Sequence, residues 1–125
     1  MFNVLVKKHI TSAATEADDG SASWRAFYRL IKLPFVPVVG MSLSANGWTP
    51  GVMERIHWQQ SDDGLAYFTC TVKTERPVVF NGYDYSFEYL CNEALGQGWF
   101  PYEATTEPQL RMELMGASDT AVPPA

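Results

Sequence analysis

The sequence has few of the residues on which most catalytic and metal sites depend. It contains two histidines, His9 and His57, and two cysteines, Cys70 and Cys91, among 125 residues. Neither cysteine lies in a Cys-x-x-Cys motif or has a histidine at metal-ligand spacing. Nucleophile-elbow, phosphate-loop, dinucleotide-binding, zinc-protease and calcium-loop motifs are also missing. We therefore expect no catalytic residue, no metal site and no cofactor.

Long hydrophobic runs are absent as well. A membrane-spanning helix needs ~20 apolar residues, whereas the longest candidate, residues 33–39, is short and contains Pro34 and Pro37. The first ten residues alternate apolar and polar side chains and lack the apolar core of a signal peptide. We expect a cytoplasmic protein with no membrane partner, in which both cysteines are buried thiols. The sequence does not decide whether Cys70 and Cys91 lie close together.

Basic residues are scarce toward the C-terminus. The chain has nine Lys and Arg against 14 Asp and Glu, for a net charge of −5. Residues 1–83 hold seven acids and eight bases, for +1, whereas residues 84–125 hold seven acids and Arg111 alone, for −6. So few cations argue against binding to a nucleic-acid backbone. The asymmetry suits a basic protein partner, or self-association of the acidic third with a basic face, and ordinary solubility also explains it.

Apolar and aromatic residues are plentiful by contrast. Hydrophobic residues make up 46% and aromatic residues 14% of the chain, which is enough for one buried core at this length. No internal repeat or large change of composition divides the sequence. From Gly116 onward the residues are small and polar, and the chain is proline-rich at its end. We expect a single globular domain over residues 1–115 and a tail over residues 116–125.

Strand patterns dominate the rest of the chain. Apolar and polar residues alternate over residues 2–10 and predict a strand with one buried face. Residues 11–23 are small and polar and predict a surface loop. Residues 24–33 fit both a helical spacing and a strand composition, and we favour the strand. Residues 36–44, whose prolines favour a sheet edge or bulge, and residues 110–114 predict two further strands.

The clearest local pattern is a hairpin over residues 52–75. The apolar residues of each strand share one face, and they are Val52, Ile56 and Trp58 in the first strand and Phe68, Cys70 and Val72 in the second. Both sets lie on the same side only if residues 62–64 form a three-residue loop. That loop pairs Trp58 with Phe68 and requires Gly64 in the left-handed conformation.

One helix follows the hairpin. Its apolar residues recur at helical spacing, and they are Phe87, Leu90, Cys91, Ala94 and Leu95. Asp84 is the predicted N-cap, and Gly96 is the predicted C-terminal stop. The pattern therefore predicts a helix over residues 84–96, followed by a turn and a short strand after Gly98.

The polar face of the hairpin holds the best candidate binding site. Its residues are Arg55, His57, Gln59 and Tyr67. The guanidinium, imidazole and phenol groups together suit an anionic group or the edge of a protein. The solvated side of a single-layer sheet also carries such residues without any ligand. Cys70 belongs to the opposite face from His57, which argues against a Cys–His dyad within the hairpin.

Aromatic residues around the helix form a second candidate surface. Tyr83, Asp84, Tyr85 and Tyr89 cluster at its start, and Trp99 and Tyr102 follow its end. Packing of the helix on the sheet would account for most of them as well.

These patterns predict an α+β fold, with a mostly antiparallel sheet of about six or seven strands and one helix (about residues 84–96) packed on one face. We expect a non-enzymatic protein-interaction or structural module that is oligomeric, with a protein or a second copy as its partner. The alternative is a small ligand-binding protein or small enzyme that uses the face of Arg55, His57 and Tyr67.

Overall fold

The computed structural model describes residues 1–45, 48–60 and 65–103. The strands are β1 (Phe2–Thr11), β2 (Trp24–Leu33), β3 (Ser42–Ala45), β4 (Trp48–Gln60), β5 (Ala66–Val72), β6 (Val78–Phe80), β7 (Tyr83–Tyr85) and β8 (Phe100–Pro101). One α-helix, α1, spans Phe87–Gly96, and a short 3-10 helix spans Glu16–Ser21. The predicted loop 62–64, the predicted strand 110–114 and the predicted tail 116–125 lie outside the described residues.

Six strands form one sheet in the order β3-β4-β5-β1-β2-β8. The β1–β5 pairing is parallel and the others are antiparallel. β6 and β7 form a separate two-stranded sheet, and α1 packs on the large sheet. The predicted α+β fold with a mostly antiparallel sheet is therefore confirmed. The preference for a strand over residues 24–33 is confirmed too, because all ten residues of β2 pair with β1.

The central strand β1 is buried on both faces, which differs from the single buried face that its alternation predicts. Val4, Val6 and Lys8 are buried on one face, and Asn3, Leu5 and Thr11 are buried on the other. The buried Lys8 ammonium lies 2.6 Å from a carboxylate oxygen of Glu75. This ion pair compensates the cost of removing the Lys8 charge from water.

Two tryptophans and two cations join β4, β1 and β2 to the chain that follows α1. The buried rings of Trp48 and Trp99 meet edge to face with centroids 5.2 Å apart. The Arg29 guanidinium lies 4.7 Å from the Trp48 ring centroid, and the Lys8 ammonium lies 5.4 Å from that of Trp99. Because the negative faces of the rings attract cations, this arrangement places both charges beside the core.

The helix begins three residues later than the sequence predicts. The hydroxyl of Ser86 accepts a hydrogen bond from the Tyr89 amide at 3.2 Å and caps the helix, whereas the predicted cap, Asp84, lies in β7. A second sheet occupies the residues that the prediction assigned to the first turn. Of the predicted apolar stripe, Cys91 and Ala94 are buried, Phe87 and Leu90 pack against the core, and Leu95 is exposed.

The β4–β5 register confirms the predicted hairpin pairing. Trp58 pairs with Phe68, and Ile56 pairs with Cys70. The burial prediction was wrong for Trp58, which is 39% exposed, because β3 pairs only with the first part of β4, up to Val52. Beyond that point no described strand lies on the outer side of β4.

A second part of the hairpin prediction was wrong, because β4 contains a bulge. Met53 pairs with Val72 and Arg55 with Thr71, so Glu54 is an extra residue in β4. An extra residue reverses the alternation of faces along a strand. Met53 is therefore fully buried, although its position predicts the polar face, and Val52 is exposed instead.

Only the end of the predicted strand 36–44 is a strand. Residues 34–41 connect β2 to β3 across the order of the sheet, and Gly40 and Met41 hydrogen-bond to the backbone of Met53. Pro34 and Pro37 cannot donate to a ladder, which explains why pairing begins after them. Among the described residues, no helix is long and apolar enough to cross a membrane.

Candidate interaction surface

The second sheet is a β-hairpin with a tight turn. Asn81 and Gly82 connect β6 to β7 and both have positive φ angles, 51° and 78°. Two consecutive residues with positive φ form the type I′ turn, whose twist matches that of paired strands and which Asn-Gly favours. The turn therefore sets the hairpin geometry locally, without help from the core.

Each face of the hairpin is defined by its register. Val78 pairs with Tyr85 and Phe80 with Tyr83, and directly opposed residues share a face. One face is thus entirely apolar and aromatic. The other face carries Val79 opposite Asp84.

The hairpin side chains are open to solvent. The exposed fractions are 54% for Val78, 70% for Val79, 62% for Phe80 and 69% for Tyr83. A two-stranded hairpin is marginally stable by itself in water, and contiguous exposed apolar residues mark interaction sites. These exposures make the hairpin a candidate interaction surface, and the β2–β3 connection also exposes apolar side chains at Phe35, Val38 and Val39.

The helix extends this surface. The rings of Tyr85 and Tyr89 meet edge to face at a centroid distance of 5.3 Å, and Tyr89 is exposed. A hydrogen bond to the Glu93 carboxylate raises the pKa of the Tyr89 phenol, so the phenol remains protonated and polar at neutral pH. We call this set the aromatic strip, and its members are Val78, Phe80, Tyr83, Tyr85 and Tyr89.

The surroundings of the aromatic strip carry negative charge. Residues 77–97 contain three acids, Asp84, Glu88 and Glu93, and no Lys, Arg or His. All three acids are exposed. A partner that covers the strip therefore meets Glu88 and Glu93 of the helix, whereas Asp84 lies on the opposite face of the hairpin with Val79.

The predicted binding residues on β4 and β5 lie together on the opposite side of the sheet from the core. Arg55 pairs with Thr71, His57 with Thr69 and Gln59 with Tyr67. Arg55, His57 and Gln59 are exposed and Tyr67 is half-buried. Their shared face follows from the register, whereas their role in binding stays a prediction.

This face is basic. Lys7 of β1 pairs with Thr71 across the edge of β5 that faces away from β4. Lys73, which is exposed, follows Thr71 by two residues. The Lys7 ammonium lies 4.4 Å from the centroid of the Tyr102 ring. Burial, together with the charge of Lys7, lowers the pKa of His9, which is half-buried on the same strand. Glu54, the extra residue of the bulge, is the exposed acid next to Arg55 in the chain.

The thiols are positioned as buried core groups. Cys70 and Cys91 are free and buried, and burial raises the pKa of the Cys70 thiol to about 11. Cys70 pairs with Ile56 and lies on the face opposite His57, as the sequence predicts. Across the three described ranges, no group of three His, Cys, Asp or Glu residues is placed to hold a metal ion.

The second predicted surface divides into two parts. The aromatic strip includes Tyr83, Tyr85 and Tyr89. Trp99 is instead buried in the core, and the Tyr102 ring meets the Tyr28 ring edge to face with their centroids 5.9 Å apart.

Val78, Val79 and Phe80 were not predicted to belong to a surface. A signal was present in the sequence, since Asn81-Gly82 between apolar and aromatic runs is the strongest short-range sign of a hairpin.

Comparison of the chain with protein-family models, with curated proteins and with solved structures gave no match.

Proposed function

We propose that this chain is a non-enzymatic protein-interaction module that binds its partner through the aromatic strip. The observation that carries the proposal is the exposure of Val78, Phe80 and Tyr83 on one face of a hairpin. Burial of these side chains against a partner would remove apolar surface from water, which is the main favourable term in protein association.

The composition of the strip supports the proposal. Tyrosine and phenylalanine are enriched at the centres of protein interfaces, where a few aromatic anchors dominate the binding energy. Tyr83, Tyr85 and Tyr89 also offer hydroxyl groups that hydrogen-bond at an interface rim. The Asn81-Gly82 turn favours the paired conformation of the hairpin before binding, which reduces the conformational entropy lost on association.

The proposal includes a cytoplasmic location. Two free, buried thiols fit a reducing compartment, in which cysteines remain unpaired.

Site-specific photo-crosslinking tests the proposed function. A benzoylphenylalanine residue replaces Tyr83 in the full chain, expressed in cells that naturally contain the protein, and adducts are identified by mass spectrometry. Phe35 is the matched control position, because it is also an exposed aromatic residue but lies in the β2–β3 connection. We expect a discrete protein adduct from position 83 and none from position 35. Equal labelling from both positions, or none from position 83, would contradict the proposal.

A further inference from the structure

We propose that the partner of the aromatic strip is a second copy of this chain, which receives the hairpin on its basic β4–β5 face. This inference rests on the proposed function and adds the identity of the partner. The receiving face is the one that carries Arg55 and His57 on β4, with Lys73 beyond the end of β5.

Charge complementarity favours this occupant. The hairpin and helix contribute Asp84, Glu88 and Glu93 and no base within residues 77–97, while Arg25 of β2 lines the same cleft as Glu88. On the receiving face, Arg55 and Lys73 are exposed. Opposite charges on two facing surfaces steer encounter and fix orientation, and here both surfaces belong to the same chain.

The other ion pairs in the molecule leave these groups available. Lys8 is paired with Glu75, and Arg76 forms two hydrogen bonds to Asp19 at 2.7 and 3.2 Å. Arg55 and Lys73 have no ion pair within the described residues, and both are exposed. They are therefore two exposed cations that an acidic rim can reach without disrupting an existing pair.

The hairpin is shaped for this type of contact. Both of its faces are exposed, through Phe80 on one and Val79 on the other, so its aromatic face is free to lie on the sheet of the receiving copy. Its strands are three residues long, about 10 Å at ~3.3 Å per residue. That length covers two of the three alternate positions Arg55, His57 and Gln59 on the receiving strand.

The two surfaces differ, and a contact in which each copy offers its strip to one neighbour and its basic face to another is head to tail. Such heterologous contacts do not close into a symmetric dimer but continue into rings or open chains. The expected species are therefore oligomers whose size grows with protein concentration.

A charge-swap experiment tests the inference by sedimentation velocity. One variant carries Asp84→Lys and Glu88→Lys, and a second carries Arg55→Glu and Lys73→Glu. We expect each variant alone to associate at least about tenfold more weakly than the wild type, because its own two surfaces then have like charges. An equimolar mixture should recover association, because each surface again meets its opposite.

A matched control separates position from net charge. The Glu16→Lys, Asp18→Lys variant has the same change of net charge as the hairpin variant, at two exposed residues of the chain before β2. It should associate like the wild type. The milder Asp84→Asn and Arg55→Gln variants serve if either double variant fails to fold by circular dichroism, and each should weaken association.

The outcomes distinguish this inference from the proposed function. Wild-type-like association of both single-sided variants, or a mixture that remains monomeric, would overturn the head-to-tail contact. A wild type that is monomeric at every concentration and salt level would also overturn it. In that case a position-83 adduct with a different protein would leave the proposed function standing.

Discussion

The rings of Tyr85 and Tyr89 meet edge to face with their centroids 5.3 Å apart, and they join the hairpin to the first turn of α1. Through this contact an element with no residue in the core is attached to one that has two, Cys91 and Ala94. The hairpin is thus oriented by the fold without being buried in it. The hairpin can therefore lose its order without a loss of stability in the rest of the domain.

The turn glycine tests this separation. Gly82→Ala forces an alanine into a left-handed conformation, which disfavours the hairpin by about 1–2 kcal/mol. We expect weaker self-association in sedimentation velocity, with a global free energy of unfolding in urea that changes by less than about 0.5 kcal/mol. Gly20→Ala is the control, since its Cβ meets no atom within 4 Å and its φ is not left-handed. Equal effects of the two substitutions on association would contradict the prediction.

The glycine after α1 should be sensitive for a different reason. A Cβ at Gly98 would lie 3.0 Å from an Arg29 guanidinium nitrogen, and the residue has a φ of +95°. Gly98→Ala should lower the free energy of unfolding by about 1–2 kcal/mol, measured by urea denaturation with tryptophan fluorescence. Gly96→Ala, at the end of the helix with no atom within 4 Å, should be neutral or stabilising by up to about 1 kcal/mol. A Gly98→Ala variant as stable as Gly96→Ala would contradict both the close contact with Arg29 and the backbone strain at this position.

The Lys8–Glu75 pair should be strongly coupled. The Lys8 side chain is 7% exposed, so Glu75→Gln leaves a buried charge without its carboxylate and should cost about 1–3 kcal/mol. Lys8→Met removes the buried charge and suits the apolar surroundings. A double-mutant cycle in urea should therefore show that Glu75→Gln costs much less in the Lys8→Met background. Additive effects within about 0.5 kcal/mol would indicate that the two groups do not interact.

The raised pKa of Cys70 predicts a loss of stability in alkali. Its pKa is about 11 in the folded chain against an ordinary value of 9.0, so the folded state holds the proton more tightly than the unfolded state. This contribution to stability is fully present below pH 9 and is lost as the pH rises toward 11. Unfolding free energies measured across that range should fall less steeply for Cys70→Ala than for the wild type. Parallel curves would contradict a buried, protonated Cys70.

Much of the fold could be predicted because it depends on local alternation. β2 occupies residues 24–33 as predicted, and the parity of the apolar faces gives the Trp58–Phe68 pairing. The bulge at Glu54 could not be predicted, because it depends on how β4 meets both β5 and the Gly40–Met41 segment. The burial of Lys8 likewise depends on the central position of β1, which is set by contacts distant in sequence.

The candidate surface was predicted only in part. Tyrosines near the helix start are visible in the sequence, but their exposure depends on whether residues 78–85 pair with the large sheet or with each other. The shift of the N-cap from Asp84 to Ser86 has the same origin, because β7 takes the residues before the cap. The polar residues on β4 were grouped correctly because strand alternation alone places them on one face.

Amide hydrogen exchange of residues 77–86 at increasing protein concentration tests the central claim most directly. In the isolated chain the outer edges of β6 and β7 have no described partner strand, so their amides should exchange rapidly. We predict that protection of this segment rises with concentration in the wild type, and that it does not rise in a Phe80→Ser, Tyr83→Ser variant with an unchanged core. Rapid exchange at every concentration in both chains, or equal protection in both, would contradict association through the aromatic strip.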